Sequence, residues 1–82
     1  MTDSPISTST MTWDNETRIL SAKVSDVGGW LSQYTLISHV TGRKVMVEFV
    51  HREYEAERGL LWRDYKPINA GLLDFTLRVF ND

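Results

Sequence analysis

Cysteine is missing from all 82 residues of the chain. Its absence excludes disulfides, thiolate zinc sites and thiol nucleophiles, and it suits a reducing compartment without requiring one. Long apolar runs are missing too. Nothing approaches the ~20 consecutive residues that span a bilayer, so no membrane partner is expected. The N-terminus has neither the basic start nor the apolar stretch of a secretory signal. A cytoplasmic location is therefore expected, or a virion if the source is viral. Asn15-Glu16-Thr17 fits the glycosylation pattern, but without an export signal it reads as coincidence. A dominant charge of one sign is also lacking. The net charge is -2, and every basic residue falls after the first seventeen positions, which hold Asp3, Asp14 and Glu16. Beyond them nine basic residues face eight acidic ones. Polyanion binders are usually strongly basic, and the chain is not acidic enough to mimic DNA.

What is present is a supply of β-branched and aromatic residues, with three each of Trp, Tyr and Phe. Such residues fit a pleated, half-buried surface. The length allows one domain. A chain this short buries roughly 60% of the surface its unfolded form exposes, which leaves little room for a deep catalytic pocket. Residues 1–12 form a Ser/Thr-rich arm and residues 13–82 a single β domain. The arm has little apolar surface to offset its ordering entropy. It is expected either to trail flexibly or to dock on a neighbouring subunit.

The pattern beyond the arm is strand, turn, strand. Strands are expected at Arg18 to Ser25, Trp30 to His39, Lys44 to Ala56, Leu60 to Lys66 and Leu72 to Phe80. Asp26-Val27-Gly28-Gly29 breaks the first two. Gly42 and Gly59 each close a bulged turn in the left-handed conformation. Leu73, Phe75, Leu77 and Val79 alternate with Asp74, Thr76 and Arg78, as on a strand with one buried face. Consecutive strands joined by short turns favour neighbours in space. The expected fold is therefore all-β, a small five-stranded antiparallel meander curled toward a barrel. In its third-to-fourth hairpin, Ala56 facing Leu60 would set Tyr54 opposite Trp62, Glu53 opposite Arg63, Arg52 opposite Asp64 and His51 opposite Tyr65. Pairs of those kinds stabilise a sheet. The rival is a short helix over Glu53 to Arg58, with Gly59 as its stop.

Catalytic constellations are not found. His39 and His51 sit at opposite ends of the third strand and cannot share a metal, which needs three or four converging ligands. Glu53, Glu55 and Glu57 interleave with Arg52, Arg58 and Arg63, as in a solvated charge ladder. Ser38 and His39 are strand neighbours and face opposite ways. No Gly-x-Ser-x-Gly elbow or phosphate-cradling loop occurs. No catalytic residue, metal site or cofactor is expected, and the chain reads as a non-enzyme.

The third and fourth strands carry one unusual feature. Val45, Val47 and Phe49 share a face that turns polar beyond them, while Tyr54, Leu60 and Trp62 bring apolar surface to the other. A coiled strand wrapping round a barrel would account for the switch. The functional reading is an exposed apolar patch of Tyr54, Leu60 and Trp62 rimmed by Arg52, Arg58 and Glu57. Tyr, Trp and Arg carry much interface energy, and such patches mark binding surfaces. The expected function is protein–protein binding or self-association, as an assembly subunit or as a small inhibitor of a larger complex. Small cysteine-free β domains of this style occur among viral and mobile-element proteins. The alternative is a small barrel that binds single-stranded nucleic acid by stacking and charge.

Overall fold

The computed structural model describes residues 5–23, 31–68 and 71–80. They form one seven-stranded sheet: β1 (Ile6–Ser7), β2 (Thr12–Asp14), β3 (Ile19–Lys23), β4 (Gln33–Ile37), β5 (Lys44–Glu55), β6 (Gly59–Pro67) and β7 (Thr76–Phe80). The order across the sheet is β1-β4-β5-β6-β7-β3-β2. β4 to β7 are the expected antiparallel meander. The fold is all-β, but it is a mixed sheet curled into a half-barrel, not a five-stranded antiparallel meander. The expected break at Asp26 to Gly29, the end of the first expected strand and Trp30 at the start of the second lie outside the described residues.

Two parallel pairings make the difference. β3 runs parallel to β7, with Leu20 beside Leu77 and Ala22 beside Val79. This register puts the inward residues of both strands into one core, and that apolar match takes the place of the expected β3–β4 neighbourhood. The second parallel pair is β1 with β4, formed by the arm itself. From Pro5 onward the arm is not a loose tail, since its strands pair with β4 and β3 of the same chain. Ser7 caps a 3₁₀ turn at Thr8–Thr10 by accepting from Ser9 N, and β2 then pairs antiparallel with β3. The first and last strands of the sheet are thus separated by only Thr8 to Met11, and the arm ties one edge to the other. Ile6 and Met11 pack against the core, so two apolar residues and a strand ladder order a stretch whose composition is polar.

The core is Ala22, Tyr34, Leu36, Val47, Tyr65, Leu77 and Val79. On β5, Val45, Val47 and Phe49 point toward it, in the alternation the sequence implies. The Tyr34 and Tyr65 rings meet edge to face at 5.0 Å. The Tyr65 hydroxyl donates to Leu31 O at 2.6 Å, and Leu31 N donates to the Tyr34 hydroxyl at 3.2 Å. Burial, and secondarily the neighbouring Tyr34, push the Tyr65 phenol well above its ordinary range.

The β5–β6 hairpin outruns the rest of the sheet. β4 pairs with β5 over Lys44 to Glu48 only, and β7 pairs with β6 over Trp62 to Tyr65 only. Among the described residues, no third strand flanks Val50 to Glu55 or Gly59 to Leu61. Strand pairing continues to Glu55, opposite Gly59, so Glu53 to Arg58 is not helical. The register differs from the expected one. Tyr54 lies opposite Leu60, Glu53 opposite Trp62, Arg52 opposite Arg63 and His51 opposite Asp64. A turn placed one residue earlier, at Ala56 to Arg58, and two bulges, which leave Val50 and Leu61 unmatched, shift the pairing by one or two positions. Glu53 and Arg63, and Arg52 and Asp64, are therefore not register partners. Gly59 takes φ 79° at the turn and Gly42 takes φ 76° between β4 and β5, both left-handed as expected. The last strand starts later than expected, at Thr76, which leaves Leu72 and Leu73 in an exposed loop.

Candidate functional site

The hairpin tip holds most of the residues singled out in the sequence. Tyr54 is 65% exposed and stands opposite Leu60. Strand neighbours alternate faces, so Arg52 shares the face of Tyr54. Arg58 lies at the turn with its Nε 2.6 Å from Glu55 Oε1 and its second nitrogen 3.2 Å from Oε2. This pair raises the Arg58 guanidinium pKa above its ordinary value. Trp62 does not join them. Its register partner is Glu53, which puts it on the other face of the ribbon. There the Arg78 guanidinium sits 4.4 Å from its ring centroid and Phe80 packs at 5.8 Å. Arg78 also forks onto Asp64, at 2.9 and 3.2 Å. Trp62 is half-buried beneath the Arg78–Asp64 salt bridge, and its Nε1 is buried with no acceptor among the described residues. Of the residues singled out in the sequence, Tyr54, half-buried Leu60, Arg52 and Arg58 lie together at the tip, with exposed Val50 further down the ribbon.

The opposite end of the half-barrel carries a feature that sequence reasoning missed. An open cavity of about 1050 Å³ lies between the β2–β3 turn, the start of β5 and the loop before β7. Leu20, Leu36, Val45 and Phe75 are among its apolar lining residues. Exposed Trp13, Met46, Leu72 and Leu73 also line it. Its charged residues are Arg18, Arg43 and Lys44 against Asp74, and Asp74 lies 3.6 Å from Lys66. Arg18 holds the corner together. Its backbone accepts from Thr76 N, its Nε donates to Asp74 O at 3.0 Å, and its guanidinium lies 5.7 Å from the Trp13 ring. It does so at φ 57°, a left-handed conformation rare outside Gly and Asn. The available signals were Trp13, isolated in an acidic stretch, and the adjacent leucines after Gly71. Neither points to a cavity until β3 is known to lie beside β7.

The remaining titratable residues do not converge. His39 accepts or donates to Thr8 Oγ1 at 2.7 Å, while its backbone N donates to the same oxygen. His51 pairs with Glu53 at 3.2 Å on the exposed hairpin. Among the described residues, no group of three His, Asp or Glu side chains could hold a metal ion. Compared with protein-family models, curated proteins and solved structures, the chain matches none.

Proposed function

We propose that the chain is a non-enzymatic protein-binding module that engages its partner through the β5–β6 hairpin. The observation that carries this reading is the extension of that hairpin past its neighbouring strands with Tyr54 largely exposed at the end. A ribbon with no flanking strand among the described residues presents backbone donors and acceptors that another chain can pair with. Tyr54 supplies a rigid amphipathic anchor, and Arg52 and Arg58 are of the type enriched at interface hot spots. An assembly subunit fits this geometry, and so does a small inhibitor that inserts its hairpin into a larger complex.

A second reading rests on the other end. Exposed Trp13 beside Arg18, with Arg43 and Lys44 close by, is an aromatic and basic combination suited to single-stranded nucleic acid.

One experiment separates the two. Tagged full-length chain and its Tyr54→Ala variant are compared for capture of a stoichiometric partner, and the wild type is titrated with a labelled oligonucleotide at two salt concentrations. Loss of capture by roughly tenfold or more at unchanged melting temperature is expected from a hot-spot truncation. Equal capture by both chains, or oligonucleotide affinity that collapses with salt, would remove the hairpin reading.

A further inference from the structure

The two unpaired features lie at opposite ends of one strand. Lys44, Val45 and Met46 at the start of β5 line the cavity, and Tyr54 and Glu55 at its finish form the tip. Twelve residues of strand at about 3.3 Å each cover most of the longest molecular extent, 40 Å. The molecule is therefore polar, with a socket at one end and a projection at the other.

The socket is not shaped for a free small molecule. Small-ligand pockets cover most of their ligand's surface. This cavity is open, and its lining includes Leu72, which is fully exposed, and Trp13, Met46 and Leu73, each close to half exposed. Exposed apolar surface of that kind calls for a macromolecular cover. The cover should be narrow, apolar and biased toward negative charge, because three basic residues line the socket against one acid. Asp14 and Glu16 stand beside it but are not among its lining residues, and Asp14 Oδ1 accepts from the backbone N–H of Glu16 and Thr17. The chain itself holds a segment of the required character. The hairpin end presents Tyr54 and half-buried Leu60 with Glu53, Glu55 and Glu57 against Arg52 and Arg58, a formal excess of one negative charge, with Glu55 paired to Arg58 and Glu53 to His51.

We infer that the socket receives the β5–β6 hairpin tip of a second copy of this chain, giving head-to-tail assembly. This inference rests on the hairpin reading above and names its partner. Each copy uses a different surface on its two sides, so the contact is heterologous and builds a ring if the rotation closes or a filament if it does not. The glutamates of the tip meet Arg43, Lys44 and Arg18, and Tyr54 and Leu60 cover the leucines and Trp13 of the mouth.

Two exposed substitutions test it without touching the core: Tyr54→Asp at the tip and Leu72→Asp at the mouth. Sedimentation of the full-length wild type across a hundredfold concentration range should show a mass rising above the 9.5 kDa of one chain. Each variant alone should stay monomeric. An equimolar mixture should form a one-to-one heterodimer and nothing larger, because the tip variant keeps its socket and the mouth variant keeps its tip. A mixture that stays monomeric overturns head-to-tail assembly, as does association that Leu72→Asp leaves intact, which would mean a tip-to-tip contact. A wild type that is monomeric throughout overturns it as well. If that monomer still captures a foreign partner through Tyr54, the hairpin reading survives. If Tyr54→Asp changes neither capture nor mass, both fail.

Discussion

Arg78 grips Asp64 with two hydrogen bonds while its guanidinium carbon sits 4.4 Å from the Trp62 ring centroid, so one guanidinium joins β6 to β7 across the outer face of the sheet. The two side chains are mostly covered, at 25% and 11% exposure. Removing one partner leaves the other charge partly desolvated and alone. Asp64→Ala should therefore destabilise by about 2–3 kcal/mol, somewhat less than for a fully buried pair. Replacing both residues together, as Asp64→Leu with Arg78→Met, should recover most of that loss. Urea melts of the three chains measure both values. A double variant no more stable than Asp64→Ala would show that the pair is not the source of the effect.

The turns at Gly42 and Gly59 test the backbone directly. Both glycines are left-handed, and a Cβ placed on either meets nothing within 4 Å. Any penalty is therefore conformational rather than steric crowding. Gly59→Val should cost roughly 1–3 kcal/mol, whereas Gly59→Asn should cost less, since Asn is enriched in that region. The same ordering should hold at Gly42. Equal losses for Val and Asn would point to a contact instead of to φ.

Those glycines also mark how much was legible beforehand. The meander from β4 to β7 could be read because alternation and left-handed turn residues are local signals. The core positions Val47, Leu77 and Val79 follow from period-two patterning alone. The parallel β3–β7 pair was not readable, because a crossover depends on how two distant apolar faces match in space. The arm was misjudged because composition weighs only side chains, and its order comes from strand pairing plus two partly buried anchors, Ile6 and Met11. The hairpin register slipped because the turn falls one residue earlier than expected and two bulges then move the partners again, and Val50 and Leu61 give no sequence sign of being unmatched. That slip matters for the candidate site. It moved Trp62 away from Tyr54 and put it under Arg78.

High pH should unfold the protein through Tyr65. Its phenol is neutral when protonated, and burial raises its folded pKa above the ordinary value of about 10. A raised folded pKa means that the unfolded chain loses the proton first. The stability linked to this group is complete below about pH 10 and is lost as pH climbs toward and through the folded pKa. The urea midpoint should therefore decline above about pH 10 in the wild type. Tyr65→Phe should flatten that limb, at a price of about 1 kcal/mol at neutral pH for the lost hydrogen bond to Leu31 O. An alkaline limb identical in both chains would assign the effect to other groups.

The arm offers the sharpest test of the half-barrel. β1 contributes Ile6 and Ser7 as a parallel partner to Leu36 and Ile37, and it covers the outer side of β4. Starting the chain at Thr8 removes that cover and the partly buried Ile6 side chain. Burying an isoleucine fully is worth about 1.5–3 kcal/mol, so the loss here should be about 1–2 kcal/mol. A second effect should accompany it, because β4 becomes an exposed edge that other chains can pair with. Light scattering should then show association that persists when Leu72→Asp is added, unlike the head-to-tail contact. Ile6→Asp separates the two effects, since it removes the apolar anchor and keeps the backbone of β1. It should lower stability by a similar amount with less gain in mass. If the shortened chain melts where the full chain does and scatters the same, β1 is not part of the stable sheet, and the two edges of the half-barrel are not tied by the arm.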